Sequence, residues 1–328
     1  MSKLNKKRNF ATDIDISGDT YAGIHAMPYV TAAVKSPDTV AKGYVRQLDG
    51  LTKSAVINNI TASSPVKAAG CDWDNDTDIE TTESLLTLTD YKVNEQICRG
   101  TVFPTWLGQG MNLNGDLPNS FSDFILSTVA GSVGQQLENG IWLGKLDGTN
   151  NSVGFVSNSG TLDAAGFAAS ACANFTTMET ALTPHNGANT LLFFGEVYNS
   201  VAANVPGIMS KPGFGFFVGN QVYALYLQGL SQAGGAGYMN QVTNQGFQAP
   251  NYLGYPIYLC PGMPEKCIVA TYKENLVYGT NNATDYTEVQ LIPAYQYDGS
   301  DYVKVAMKFA VGVQCAVKTD GVIGYDLA

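Results

Sequence analysis

The stretch PNSFSDFILSTVAGSVGQQLENGIWL, residues 118–143, predicts one long helix around which the rest of the chain is arranged. Pro118 precedes the first turn, and Asn119 or Ser120 can cap the free amide groups of that turn. A helix over 119–142 is about 36 Å long. Its apolar residues recur at every fourth position, a spacing that drifts by roughly 40° per step around the helix. The apolar stripe therefore winds around the helix and has to contact different neighbours along its length.

Three glycines, Gly131, Gly134 and Gly140, interrupt the second half of this helix. Each costs about 1 kcal/mol relative to alanine in a helix interior. Close packing against a neighbouring backbone explains such glycines, and so does a helix that has to bend. The sequence alone leaves both explanations open.

The amino-acid composition excludes some classes of function. The chain has 328 residues, more than one hydrophobic core usually supports, so we expect two lobes. Charged residues make up 14% of the chain, whereas soluble domains carry about 25%. This shortage indicates either a poorly soluble protein or one whose surface is largely covered when copies of the chain associate. The net charge of −10 argues against a protein that reads nucleic acid through a basic face.

The N-terminal residues predict no secretory signal, and in a cytoplasmic product the cysteines are expected to be reduced. Residues 1–9 are basic but lead into a polar, acidic stretch, so we expect no secretory signal. No uncharged apolar run is long and apolar enough to cross a membrane. The six cysteines show no CxxC spacing, and we expect reduced, mostly buried thiols.

Residues 1–50 predict an extended arm, and residues 51–99 predict a protruding β-hairpin. Four of the first eight residues are basic and none is acidic, so the tip of the arm can pair with the acidic body of another copy or touch nucleic acid. A disordered tail explains the same composition. Residues 54–69 and 85–98 supply the two strands of the hairpin.

The tip of this hairpin contains a candidate calcium site. Carboxylates occupy alternate positions with the spacing of an EF-hand loop. Position 6 of that loop is Thr77 instead of the glycine that its sharp turn requires, and the flanking residues do not predict helices. The same alternation is also typical of a strand that protects an exposed edge with charge. The candidate calcium ligands are Asp72, Asp74, Asp76, Asp78 and Glu83.

Beyond the long helix, residues 151–275 predict a second lobe rich in alanine and glycine. Within it we expect a helix over 164–182 and a buried strand over 191–194. From 212 to 264 no residue is Asp, Glu, Lys, Arg or His. A charge-free stretch of this kind fits a surface packed against copies of the same chain, and a flexible Gly/Gln loop explains residues 229–246 equally well.

Two β-hairpins are predicted near the C-terminus. Residues 257–260 and 267–272 form the first, around a turn rich in proline and glycine. Residues 288–297 and 302–317 form the second, which turns at an Asp-Gly pair. In its last strand one face is predicted to be buried, because apolar residues recur with a period of two and three polar residues face the other way. The apolar residues are Val303, Val305, Met307, Phe309, Val311 and Val313, and the polar ones are Lys304, Lys308 and Gln314.

The sequence nominates no catalytic constellation. Its only histidines, His25 and His185, lie in the arm and in a predicted turn, so they indicate neither a His-based triad nor a zinc site. The glycines of 213–219 have one residue too many for a dinucleotide-binding fingerprint, and we interpret them as a packing turn. We predict that the protein is not an enzyme and holds no cofactor, with calcium as the one alternative. An unrecognised hydrolase would require a cleft that contains a carboxylate of perturbed pKa.

The order of these parts resembles the major capsid protein of tailed bacteriophages, whose fold, the Hong Kong phage type, is shared with encapsulin shells. The resemblance is most specific in residues 118–144 and 254–328. The helix exit ENGIWLG (138–144) is similar to the end of the family's spine helix. The segment GYPIYLCPGMPEKCIVATY (254–272) resembles its proline-led strand, Pro/Gly turn and following strand, and 302–317 resembles its closing strand.

This resemblance implies an α+β fold with five parts. They are an N-terminal arm (1–50), an extended β-hairpin loop (51–99), a peripheral domain with the spine helix (100–150), an axial domain (151–275) and return strands of the peripheral domain (276–328). It implies a structural protein that assembles as hexamers and pentamers into an icosahedral shell around a viral DNA genome. The implied location is the virion, after assembly in the host cytoplasm.

The implied partners are other copies of the chain, a separate scaffolding protein, a portal and decoration proteins. Packaged double-stranded DNA is expected to make only weak, non-specific contact, and no membrane is expected. Two other functions stay open. An encapsulin-like compartment would enclose protein cargo and no nucleic acid, and a calcium-dependent adhesin or tail module would use the acidic loop.

Overall fold

The computed structural model describes residues 20–22, 37–62, 71, 79–98, 119–144, 146, 153–157, 164–180, 185–232, 250–281, 288–294 and 299–326. These residues form an α+β protein with two six-stranded sheets and a separate two-stranded sheet. The helices are α1 (Asp38–Ala41), α2 (Asn119–Leu143), α3 (Ala164–Ala168), α4 (Gly187–Asn204) and α5 (Asn220–Gln232). The strands are β1 (Thr20–Ala22), β2 (Arg46–Leu48), β3 (Ser54–Ala62), β4 (Ile79–Thr87), β5 (Thr89–Cys98), β6 (Thr176–Glu179), β7 (Phe214–Val218), β8 (Asn251–Tyr252), β9 (Tyr255–Leu259), β10 (Cys267–Tyr272), β11 (Leu276–Thr280), β12 (Glu288–Pro293), β13 (Tyr302–Cys315) and β14 (Val322–Tyr325).

The first sheet is organised around β13, a strand of 14 residues. β5 pairs along one edge of β13, and β12 and β11 follow one another along the other edge. β1 extends the sheet beyond β12, and β2 extends it beyond β11. Alternate residues of β13 from Val303 to Val313 are buried, whereas Lys304 and Lys308 are exposed. The β12–β13 hairpin is therefore confirmed, and the predicted two-residue period is confirmed from 302 to 309, whereas residues 309–313 are buried consecutively.

The long helix α2 runs from Asn119 to Leu143, within one residue of the predicted bounds. Its apolar stripe lies in the same core as the inward residues of β13. No helix in the described ranges is long and apolar enough to cross a lipid bilayer. The buried stripe residues are Ile125, Val129, Val133, Leu137 and Ile141.

Two of the helix glycines have different surroundings. A Cβ atom added at Gly131 would have no atom of another element within 4 Å, so close packing does not explain this glycine. A Cβ at Gly140 would lie 2.6 Å from the side chain of Leu146, so here the packing explanation holds.

The second sheet has the strand order β6-β14-β10-β7-β9-β8, and its central strands are buried on both faces. Phe216 and Ile268 lie in a core that includes residues of α4. Their neighbours Phe217 and Val269 lie in the core that contains α2. Burial on both sides requires apolar residues at consecutive positions, which is why β7 shows no alternation.

Two predicted elements of the second lobe are wrong. The helix predicted over 164–182 ends at Ala168, and Thr176–Glu179 is instead a strand parallel to β14. The strand predicted over 191–194 is part of α4, which begins after the N-cap residue Asn186. Short apolar runs carry too little periodicity to separate the two structures, so the tertiary neighbours decide.

The hairpin predicted over 257–260 and 267–272 is also wrong, because another strand lies between its two arms. β7 pairs parallel with β9 and antiparallel with β10. β7 itself falls within residues 213–219, which we interpreted as a packing turn. Local sequence pattern cannot reveal that β7 separates β9 from β10, because β7 comes from a distant part of the chain.

The prediction that all cysteines are reduced is wrong for one pair. Cys172 and Cys315 form a disulfide, with a Cα–Cα distance of 5.7 Å. They are 143 positions apart in sequence, so only the fold places the turn after α3 against the end of β13. Cys260 and Cys267 are free and buried, as predicted.

Candidate intersubunit surfaces

The hairpin β3–β4 forms the separate two-stranded sheet. Its antiparallel register runs from Ser54 opposite Thr87 to Ala62 opposite Ile79. The sequence correctly predicts a hairpin here but merges two strands over 85–98. The chain leaves the hairpin at Leu88, and the following strand β5 pairs with β13 instead.

One face of this hairpin exposes four large apolar side chains to solvent. Val56 lies opposite Leu85, and Ile60 and Ile79 lie on the same face nearer the tip. The exposed fractions are 55% for Val56, 54% for Leu85, 68% for Ile60 and 70% for Ile79. We call these four residues the apolar hairpin face. Asn58 and Glu83 lie between these pairs on the same face. Four exposed large apolar side chains on one side of a hairpin in a charge-poor chain are typical of an interaction site.

The opposite face of the hairpin is fixed to the same chain at its root. Leu86 and Ser84 are buried. The Ser84 hydroxyl donates to the carbonyl of Ala316 at 3.2 Å, and the Gln314 side-chain amide donates to the carbonyl of Leu85 at 2.9 Å. These contacts hold the root against the end of β13, so the apolar hairpin face points away from the body in a defined orientation.

Two paired glycines make room for this root. Gly279 of β11 lies opposite Gly312 of β13. A Cβ at Gly279 would lie 2.6 Å from the side chain of Leu86, and one at Gly312 would lie 2.2 Å from the carbonyl oxygen of Thr87. At Gly312 only glycine permits this approach, because the neighbouring atom belongs to the backbone.

We expect Gly312→Ala to displace the hairpin root and to lower the free energy of unfolding by about 1–3 kcal/mol, because the added methyl group meets backbone rather than a flexible side chain. Denaturant titration measures the loss, and limited proteolysis reports release of the hairpin. Gly131→Ala is the matched control. Its methyl group meets open space, so it should gain up to about 1 kcal/mol from helix propensity. Equal stability of the Gly312 variant and wild type would contradict the proposed packing.

A buried polar cluster joins α1, α2 and the turn after β9. The Glu138 carboxylate accepts a hydrogen bond from the backbone N–H of Thr39 at 3.0 Å and another from the Thr39 hydroxyl. The backbone N–H of Gly262 donates to the same carboxylate at 3.4 Å. The Trp142 indole N–H donates to the Thr39 hydroxyl oxygen at 3.1 Å. We call Thr39, Glu138, Trp142 and Gly262 the junction cluster.

The junction cluster is closed to solvent. Thr39 and Trp142 are fully buried, and Glu138 is almost so. A Cβ at Gly262 would lie 2.2 Å from the Glu138 carbonyl oxygen, so the turn approaches the helix backbone directly. Burial raises the pKa of the adjacent Cys260 thiol, which is therefore neutral and unreactive near neutral pH. The cluster has the properties of a structural joint rather than a catalytic site. The only sequence signal for it is that Glu138 and Trp142, four residues apart, share one helix face.

The predicted calcium ligands lie mostly outside the described residues, which do not include Asp72, Asp74, Asp76 or Asp78. Glu83 is exposed on β4, opposite Asn58. Across the described ranges, no three His, Cys, Asp or Glu side chains come close enough to hold a metal ion. Calcium binding therefore stays a prediction.

Within the described residues, His185 is the one histidine, and its ring makes no hydrogen bond there. His25 lies outside the described residues. His185 precedes the N-cap of α4, and among the described residues neither of its ring nitrogens has a hydrogen-bond partner. Burial, and to a lesser extent the charge of Lys266, lowers the pKa of His185. The lowered pKa favours the neutral imidazole near pH 7.

The charge-free stretch 212–264 is only partly a surface. Its strand β7 is buried within the chain itself, so the prediction that the whole stretch packs against other copies is wrong there. The exposed remainder in the described part includes Pro212 and Gly213, the outer side of α5 and the turn between β8 and β9. Leu253 in that turn is exposed.

Comparison with known proteins identifies the fold through structure alone. No protein-family model matches the sequence, and no curated protein matches it. The chain is similar to a structure described as the capsid of Myoviridae phage XM1, with 12% identity, a TM-score of 0.55 and coverage of 88% of this chain and 92% of that one. A structure from Gordonia phage Cozz matches with 15% identity, a TM-score of 0.55 and coverage of 89% and 87%. The capsid structure of cyanophage P-SCSP1u matches with 10% identity, a TM-score of 0.50 and coverage of 88% of each chain.

At sequence identities of 10–15%, the structural similarity to these capsid structures establishes the fold alone. The chain has the α+β capsid fold of tailed phages, and the resemblance predicted from the sequence is confirmed at that level. The likeness spans nearly the whole of this chain and of the matched ones.

Proposed function

We propose that this chain is the major capsid protein of a tailed bacteriophage and assembles with identical copies into an icosahedral shell around double-stranded DNA. The apolar hairpin face is the observation that carries the proposal. A folded subunit holds this face away from its own core by hydrogen bonds at the hairpin root. Covering it requires another molecule, and the shell fold supplies identical neighbours.

In this proposal the hairpin of one subunit overlaps the next, and subunits form hexamers and pentamers. The net charge of −10 suits an inner wall that makes only weak, non-specific contact with DNA. Scaffolding, portal and decoration functions belong to other proteins. The subunit is structural and not an enzyme. It assembles in the host cytoplasm and ends in the virion.

An encapsulin-like compartment would use the same fold and the same hairpin contact. Its purified shells would contain protein cargo and no nucleic acid. A calcium-dependent adhesin gains no support from the described residues, although its acidic loop is not among them.

Electron microscopy and native mass spectrometry of the purified chain test the proposal. We expect pentamers, hexamers and closed shells for wild type. Ile60→Lys places a charge on the apolar hairpin face and should reduce shell yield at least about tenfold, because the contact loses the burial of a large apolar side chain. Thr61→Lys is the matched control, since Thr61 is exposed on the opposite face of the same strand, and its yield should equal that of wild type.

Circular dichroism should show the same folded state for all three proteins. A wild-type chain that stays a compact monomer at high concentration would overturn the proposed function.

A further inference from the structure

The turn between β8 and β9 contains a leucine where the backbone favours glycine or asparagine. Tyr252 pairs with Tyr255, which leaves Leu253 and Gly254 as a two-residue hairpin loop. Both loop residues have positive φ, 47° at Leu253 and 89° at Gly254. Turns of this geometry favour Asn-Gly or Asp-Gly, because a side chain with a Cβ is strained there and asparagine tolerates the conformation best. Gly254 meets this requirement and Leu253 does not.

The strained leucine gains little burial in its own chain. Leu253 is 65% exposed, and it is the only residue other than glycine with a positive φ in the part of the chain that the structure describes. Strain and an exposed apolar side chain therefore coincide at one position. A residue that costs stability in two ways points to a contact outside the subunit.

The chain beneath the turn holds Leu253 in a defined place. The ring of Tyr252 packs against Phe194, with centroids 5.4 Å apart, and Tyr255 packs against Phe214 at 5.0 Å. The Tyr226 hydroxyl donates to the carbonyl of Asn251 at 2.9 Å. An apolar side chain presented on such an aromatic platform loses little conformational freedom when a partner covers it.

The absence of charge around the turn indicates that the partner is another copy of this chain. The turn lies in the stretch 212–264, which contains no Asp, Glu, Lys, Arg or His, within a chain of net charge −10. Identical acidic surfaces repel each other, so copies can approach closely where charge is absent. A second exposed leucine, Leu192, lies on α4 one turn before Gly195, which is next to the Tyr252 hydroxyl.

We infer that Leu253 is an anchor that a neighbouring copy of this chain covers in the assembled shell. This inference rests on the proposed function and assigns one contact within it, distinct from the contact of the apolar hairpin face. A single projecting side chain fits a contact between different surfaces of the two copies, which is the type that closes into rings.

Leu253→Asn separates a role in assembly from a role in folding. Asparagine suits the backbone of the turn and removes the apolar side chain, so the unfolding midpoint should rise by about 1–3 °C. The critical concentration for shell formation should rise at least about tenfold, because the apolar contact is lost. Val153→Asn, at another exposed apolar residue, is the control and should leave the critical concentration unchanged. Leu253→Gly should impair assembly as much as Leu253→Asn.

The outcomes are distinguishable. If wild type forms no shells, the proposed function fails and the inference fails with it. If wild type assembles and both Leu253 variants assemble at the same concentration, the inference is overturned while the proposed function stands. A fall in the unfolding midpoint of Leu253→Asn would assign the leucine a role inside the subunit and would also overturn the inference.

Discussion

Glu138→Ala is expected to lower the free energy of unfolding by about 3–5 kcal/mol, because each buried donor that loses its acceptor costs about 1–3 kcal/mol. The Glu138 carboxylate accepts hydrogen bonds from the backbone and hydroxyl of Thr39 and from the backbone of Gly262. All of these groups lie where water cannot replace the lost acceptor. Equilibrium denaturation with urea, followed by circular dichroism, measures the change.

Glu138→Gln is the matched control for this substitution. Glutamine keeps the shape of the side chain and one acceptor oxygen, so it should cost about half as much as alanine or less. The alanine variant should also release α1, which limited proteolysis near residues 37–50 would detect. A loss below about 1 kcal/mol for the alanine variant would show that the junction cluster does not hold these elements together.

Trp142→Ala is expected to cost a similar amount, about 3–5 kcal/mol, mainly through the cavity that it leaves. Trp142 is fully buried, and its ring packs against Phe155 and Phe217 with centroids 5.4 Å and 6.1 Å away. These contacts join the end of α2 to the second sheet. The same denaturation experiment measures the loss.

Trp142→Phe separates packing from hydrogen bonding. Phenylalanine retains most of the ring contacts but loses the indole N–H that donates to Thr39, so a loss of about 1–2 kcal/mol is expected. Combining it with Thr39→Val in a double-mutant cycle should give a coupling of about 0.5–3 kcal/mol, as for residues in one network. Simple additivity of the two substitutions would contradict the hydrogen bond between them.

The junction cluster shows why the joints between elements escaped prediction. Thr39, Glu138 and Gly262 are far apart in the chain, and each is ordinary in its local context. Their contact depends on how α1, α2 and the turn after β9 meet. The Cys172–Cys315 bond and the pairing of Gly279 with Gly312 have the same origin.

Local pattern was sufficient for the long helix α2, the β12–β13 hairpin and, through the order of these parts, the capsid fold. A periodicity sustained over many residues leaves one way to bury the apolar face, so the sequence by itself determined those elements. Only the tertiary structure decided that β7 separates β9 from β10, that 191–194 is helical and that the hairpin root rests on two glycines. Short apolar runs are compatible with either secondary structure, and the energy that selects one comes from neighbours brought together from distant parts of the chain.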